Sequence, residues 1–247
     1  DLTINKTVYP EAQLLKPSEL TAAIITAGGL IFVDNSDAAD LSFTISGASI
    51  NMGDIVLIGR YPERAQATIS GPELRCKYNA AFKNLHIAAS GNYNLFTTTN
   101  ATYDPTLHVE DCTVDAAYNV VYDSHNTQNF KSVYFGNSIV KMTVANKPFY
   151  STKSKGAYTP LQNYLINCGD RSQAFQTTRL QVEVTNNTIY NIYQPNIMIR
   201  AYVLAGLTVT KNVGYYTGVT AKNYLTGVYD TAGFTADKAE VTYNYLY

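Results

Sequence analysis

Tryptophan is absent from this chain of 247 residues, and histidine and cysteine occur three times each. Cys76, Cys112 and Cys168 are an odd number without a CxxC spacing, so neither a disulfide framework nor a zinc site is expected. Charged residues make up only 15% of the chain, against a usual share of about a quarter. Lys and Arg total 18 against 19 Asp and Glu, and no basic cluster interleaves with aromatics. That argues against a nucleic-acid partner. No apolar run reaches the roughly 18 residues of a membrane-spanning helix. The opening DLTINKTVYP is no signal peptide, so such a segment has been removed or was never present.

What is abundant is strand-forming and uncharged. The chain carries 21 Tyr and is 46% hydrophobic, ample for a core, with many Thr, Asn, Ser and Val. It also repeats itself. FKNLHI (82–87), VEDCTV (109–114), YFGNSI (134–139), YLINCG (164–169), VTNNTI (184–189), VTKNVG (209–214) and VTYNYL (241–246) align on their fourth residues. These are Leu85, Cys112, Asn137, Asn167, Asn187, Asn212 and Asn244, 20 to 32 residues apart. Such periods point to a solenoid, a propeller or an array. Each repeat alternates apolar and polar residues over short stretches with Asn or Gly at the breaks, the pattern of several short strands. A second column runs between the first: LFTTT (95–99), VVYDS (120–124), PFYST (148–152), AFQTT (174–178), IMIRA (197–201) and GVYDT (227–231). Two or three strands in about 26 residues suit a right-handed parallel β-helix, whereas a propeller blade needs four in about 40.

Successive coils of such a helix stack about 4.8 Å apart. An Asn at the same bend of each coil can then bond its amide to the next, and a ladder is expected from Asn137 onwards. SELTAAIITAGG (18–29) reads as a short helix, with Ser18 as N-cap and Gly28 and Gly29 as its stop. A helix at about 16–30 is suited to cover the first coil, because a solenoid end needs a cap. Regular coils are expected over about 80–247, within one domain spanning 1–247. The final NYLY lies inside a repeat, which leaves room for a following segment.

The helix followed by GGLIFVD, the stretch IVLIGRYPERAQATISG leading into FKNLHI, and the VTNNTI repeats resemble the pectin-lyase-like β-helix superfamily. The likeness runs from about residue 16 to the end. It is greatest to uncharacterised pectate-lyase-like domains of Bacteroidetes surface lipoproteins from polysaccharide-utilisation loci. The resemblance implies a secreted or cell-surface, lipoprotein-anchored protein of the outer membrane. It also implies a polysaccharide or oligosaccharide ligand, glycan-uptake partners, and a groove over one sheet and its adjoining turns.

Phe96, Val121, Phe149, Phe175, Met198 and Val228 share one apolar position of the second column and are expected to face inward. Alternation then turns Thr97, Tyr122, Tyr150, Gln176, Ile199 and Tyr229 outward. Tyr122 and Tyr150 would form a platform for sugar faces, although stacking between coils would account for them equally. Asp123 and Arg200 stand one step further, and Tyr158 lies in the loop YSTKSKGAYTP (150–160). Tyr122, Asp123, Tyr150, Gln176, Arg200 and Tyr158 are therefore the candidate ligand-binding residues. A lyase acting by β-elimination needs a cation against the uronate carboxylate and a base for the C5 proton. Lys153, Arg179, Arg200 and His125 are the groups at hand.

Calcium wants several converging oxygens, and a glycosidase wants paired carboxylates. Asp123 and Asp230, coils apart, satisfy neither. No metal site and no cofactor are expected, with Ca²⁺ entering only under a lyase mechanism. His86 and His108 read as surface or packing residues. Non-catalytic polysaccharide binding at a cell surface is the leading reading. A polysaccharide lyase and a structural or adhesive module are the alternatives.

Overall fold

The computed structural model describes residues 12–89, 94–98, 105–116, 118–123, 130–142, 150–152, 159–162, 165–171, 175–185, 188–192, 197–216, 224–228 and 239–246. Beyond residue 142, side chains are described at 188, 208–213 and 240–245. The chain visits three stacks of short parallel strands in turn. Gly29–Val33, Ile55–Gly59, Ala80–Lys83, Thr106–Glu110, Ser132–Gly136 and Thr159–Gln162 form the first. Ser42–Thr44, Ala67–Gly71, Leu85–Ala89, Thr113–Ala116 and Ile139–Met142 open the second, which continues to Tyr245–Leu246 as a separate nine-stranded sheet. Ser49–Met52, Glu73–Cys76, Phe96–Thr98, Val121–Asp123 and Tyr150–Thr152 form the third.

Two long strands, Phe175–Thr185 and Ile197–Thr210, run through a corner. Their leading halves extend the third stack and their trailing halves the first, so these two stacks join as one 16-stranded sheet. The protein is an all-β parallel β-helix. Parallel pairing runs back from Ala80–Lys83 through Ile55–Gly59 and Gly29–Val33 to Gln13–Leu15.

The core is built from three rows of side chains at matching register. Ile31, Leu57, Phe82, Val109 and Phe135 line the first stack, and Ile69, Ile87, Val114 and Val140 the second. Leu74, Phe96 and Val121 line the third. Rings bridge the stacks: Phe82 and Phe96 lie 5.3 Å apart between centroids, and Phe96 meets Phe135 edge-on at 6.2 Å. Burying each such side chain contributes about 1.5–3 kcal/mol.

At the N-terminal end Gln13–Leu15 pairs with Gly29–Val33, and a 3-10 turn, Pro17–Glu19, packs on Ser42–Thr44. The helix is Ala22–Ala27, and it packs on Ser49–Met52. Its N-cap is Thr21, whose hydroxyl accepts the Ile24 N–H at 3.2 Å, and not Ser18. Ser18 is drawn away because its hydroxyl and N–H both donate to the Asp40 carboxylate. Gly28 closes the helix at φ 80°, where a Cβ would stand 2.4 Å from the Asp54 carbonyl oxygen.

The corner between the first and second stacks corrects the expected ladder. It turns on one residue of positive φ: Asn84 (53°), Asp111 (53°), Asn137 (46°), Lys211 (58°) and Tyr243 (56°). Asn and Asp tolerate this region better than other side chains, so Asn137 occupies the turn and Ser138 the stacked position behind it. Register places Leu85, Cys112, Ser138, Asn212 and Asn244 there. Asn167 instead pairs with Lys141 and Tyr190 in mid-strand. Asn187 lies outside the described residues.

The stacked side chains share one bonding scheme. The Cys112 thiol donates to the Glu110 carbonyl at 3.1 Å and to that of Phe82, one coil back, at 3.6 Å. The Ser138 hydroxyl donates to the Gly136 carbonyl at 2.8 Å and accepts the Cys112 N–H at 3.2 Å. Asn244 Nδ2 donates to Thr242 at 3.0 Å and to Val209 at 2.8 Å. Its Oδ1 accepts the Asn212 N–H at 3.0 Å and Asn212 Nδ2 at 2.9 Å. The sheet pattern breaks at the corner, so these buried N–H groups need a side-chain acceptor. A thiol, a hydroxyl or a carboxamide can each take a rung.

Candidate functional site

On the third stack, Asn51, Arg75, Thr97, Tyr122, Ser151, Gln176 and Arg200 stand in one row, strand against strand. The residues before them, among them Leu74, Phe96 and Val121, fill the core row. Arg75 is exposed and bonds Glu73 at 2.9 Å, and Tyr122 is half-buried. Thr97 is buried, and its hydroxyl has no hydrogen-bond partner. Ser151, Gln176 and Arg200 are placed by register alone.

The expected Tyr122–Tyr150 pair is not adjacent in this row. Tyr150 pairs with Val121 and Phe175, and it is Ser151 that pairs with Tyr122. The repeat pattern in the sequence matches Phe149, not Tyr150, to Val121. A one-residue slip exchanges the two faces of a strand. The same register brings Gln176 level with Arg200, which the repeat pattern sets one step apart. Asp123 pairs with Thr152, and Arg179 with Val203. His125, Lys153, Tyr158 and Asp230 lie outside the described residues, as do the side chains of Asp123, Tyr150, Gln176, Arg179 and Arg200.

Two polar clusters on the other stacks gather around His108 and His86, which the sequence reads as surface or packing residues. On the first, the His108 ring stacks on Tyr134 at 4.4 Å, and His108 Nε2 stands 3.6 Å from Glu110 Oε2. Lys83 Nζ meets Glu110 at 2.9 Å and Asp111 at 3.4 Å. Gly136 sits under the Tyr134 hydroxyl, where a Cβ would collide. The hydrogen bond from Lys83 holds the Glu110 carboxyl below its ordinary range, and the same bond raises Lys83. Burial, with Glu110 and Asp111 beyond it, raises the Tyr134 phenol. A glycosidase acid must be held protonated, so Glu110, kept ionised by Lys83, is poorly suited to that role.

On the second stack, His86 Nε2 lies 2.8 Å from Asp115 Oδ2, and its Nδ1 lies 3.1 Å from the Thr68 hydroxyl. The other Asp115 oxygen is buried without a partner. In the neutral ring, an Nε2–H given to the carboxylate leaves Nδ1 to accept the threonine proton. The signal was present in the spacing, since His86 and Asp115 are 29 residues apart, close to one coil. Sequence alone could not say that they share a face. Among the described residues no three His, Cys, Asp or Glu side chains converge as metal ligands. No described helix is long and apolar enough to cross a membrane.

Comparison with protein-family models, with curated proteins and with solved structures finds no match for this chain.

Proposed function

We propose that this chain is a non-catalytic polysaccharide-binding β-helix of the pectin-lyase-like kind, acting at a cell surface. The observation that carries the reading is the row Arg75, Thr97, Tyr122, Ser151, Gln176 and Arg200 on consecutive strands of one stack. Strand neighbours lie about 4.8 Å apart, close to the length of a sugar unit. Such a row suits an extended glycan: Tyr122 would offer a ring face and Arg75, Ser151, Gln176 and Arg200 hydrogen-bonding groups, while Thr97 is buried between them in register. Asp123 and Tyr150 border the row, and the loop carrying Lys153 and Tyr158 follows it in sequence. The winding is taken as right-handed, as parallel crossovers almost always are. The helix Ala22–Ala27 is taken as part of the N-terminal closure.

Affinity electrophoresis against plant and host polysaccharides tests the reading. Wild type should be retarded by at least one, and Tyr122→Ala together with Gln176→Ala should lose about tenfold or more in affinity while the thermal midpoint holds. Retardation by none of them, or an unweakened double variant, would overturn it. A lyase acting through Arg179, Arg200, Lys153 or His125, with or without Ca²⁺, would release unsaturated uronate products from pectin, alginate or glycosaminoglycans instead.

A further inference from the structure

The corner between the first and second stacks turns on one positive-φ residue at Asn84 and at Asp111, but it swells into the loop 60–66, RYPERAQ, between Ile55–Gly59 and Ala67–Gly71. This loop is held rigidly. The buried Asn35 carboxamide accepts the Tyr61 N–H at 2.9 Å and donates to the carbonyls of Tyr61 and Ala65, each at 2.9 Å. Arg60 N–H bonds the Val33 carbonyl at 2.9 Å, and Arg64 Nη1 donates to that of Ser36 at 2.7 Å. The frame brings two guanidinium groups to one ring, with Arg60 Cζ 4.9 Å and Arg64 Cζ 5.2 Å from the Tyr61 centroid.

Two guanidinium groups gathered on one phenol make a local positive potential that favours an anion beside them. Among the described residues neither arginine has a carboxylate within ion-pair distance, unlike Arg75 and Lys83. Arg60 Nε is buried and has no hydrogen-bond partner among the described residues. Asp34, whose carboxyl is held low first by its bond from Ser36 and further by Arg60 and Lys16, offsets only part of the charge. Both guanidinium groups already stand at the Tyr61 ring, and Arg64 is tied to the Ser36 carbonyl, so little freedom is lost when an oxyanion docks against their remaining N–H groups.

We infer that Arg60, Tyr61 and Arg64 form a second binding site, selective for an oxyanion carried on a glycan: a uronate carboxylate or a sulfate ester. It lies at the corner between the first and second stacks, whereas the Tyr122 row runs along the strands of the third. Naming a glycan as the carrier rests on the function proposed above; the arginine pair itself does not.

Binding of the whole chain to polygalacturonate, dextran sulfate and unmodified dextran decides it, with inorganic sulfate as competitor. Wild type should bind one or both charged polymers more tightly than dextran. Arg60→Gln with Arg64→Gln should weaken that binding by about tenfold or more. The preference between the two charged polymers tells carboxylate from sulfate ester. Arg60→Lys should also lose several-fold, because an ammonium cannot supply a fork. If the double variant does not fold, Arg64→Gln alone, at an exposed residue, should still weaken binding by about threefold. Charged polymers that bind wild type and folded Arg variants alike overturn this site and leave the Tyr122 row standing. Loss with Tyr122→Ala of all binding, charged and neutral, also overturns it. If nothing polymeric binds but inorganic sulfate protects the Tyr61 loop from hydrogen exchange in wild type and not in the double variant, the oxyanion site stands and the glycan reading falls. If neither is seen, both fall.

Discussion

Ser138 shows how one hydroxyl can join two coils. It fills a valence of the Gly136 carbonyl, which also accepts the Asp111 N–H at 3.1 Å, and it supplies the acceptor for the Cys112 N–H. Ser138→Ala removes donor and acceptor together and leaves a buried N–H unpaired, at a cost of about 1–3 kcal/mol. Ser138→Asn should recover part of this, because a carboxamide does the same work at Asn244. Urea unfolding of the three proteins checks the order wild type, Asn, Ala; an alanine variant as stable as wild type would show that the rung adds nothing. The identity of the stacked residues was only half legible. At GNS both Asn137 and Ser138 are plausible ladder members, and the demand of positive φ at the turn chose between them.

At the scale of elements, close backbone approach fixes how the helix seats on the third stack. Gly53 N–H bonds the Ile25 carbonyl at 3.2 Å, and a Cβ on Gly53 would stand 2.7 Å from the Thr26 carbonyl oxygen. Gly53→Val must therefore lift Ala22–Ala27 off Ser49–Met52, at a cost of about 1–3 kcal/mol. Hydrogen exchange of residues 22–27 should accelerate in the variant while the strands from Ala80 onwards stay protected. Unchanged exchange at 22–27 would mean that the helix is not held by this contact. Apolar alternation was enough to find GLIFVD, DIVLIG and the two strand columns after them, though not Ser42–Thr44, Ser49–Met52 or Glu73–Cys76, and the stop at Gly28 and Gly29 was enough to find the helix. Alternation was not enough to place Ser151, rather than Tyr150, against Tyr122. The loops between coils vary in length, so neighbouring strands can be matched in two ways that differ by one residue, and only the hydrogen-bonded ladder separates them.

Over the whole molecule, Cys76 and Cys112 report on global integrity. Cys76 belongs to the third stack and Cys112 to the corner behind the first, and both are free and buried. Burial pushes the Cys112 thiol up to about 12 and the Cys76 thiol higher still. At pH 8 the Cys112 thiolate is then about one part in ten thousand, and reagent reaches neither sulfur without opening the core. Both should stay unmodified in native buffer, while all three cysteines react in denaturant. Peptide mass spectrometry after a thiol-reagent pulse reads this directly. Labelling of Cys76 or Cys112 faster than the protein unfolds would show that the stacks open locally.

By itself the sequence determined the solenoid. A period of about 26 residues, short alternating strands and polar breaks permit little else, because each coil can bury its apolar row only against the next. It also located the strand row that bears Tyr122. What waited for tertiary structure was every relation between coils. His86 with Asp115, His108 with Tyr134, and Arg60 and Arg64 around Tyr61 are contacts made by a corner's shape or by stacking across coils. A side chain's face depends on the parity of its strand, and its partner on the register of the neighbouring coil. Neither is encoded locally; hydrogen bonding between strands far apart in sequence decides both.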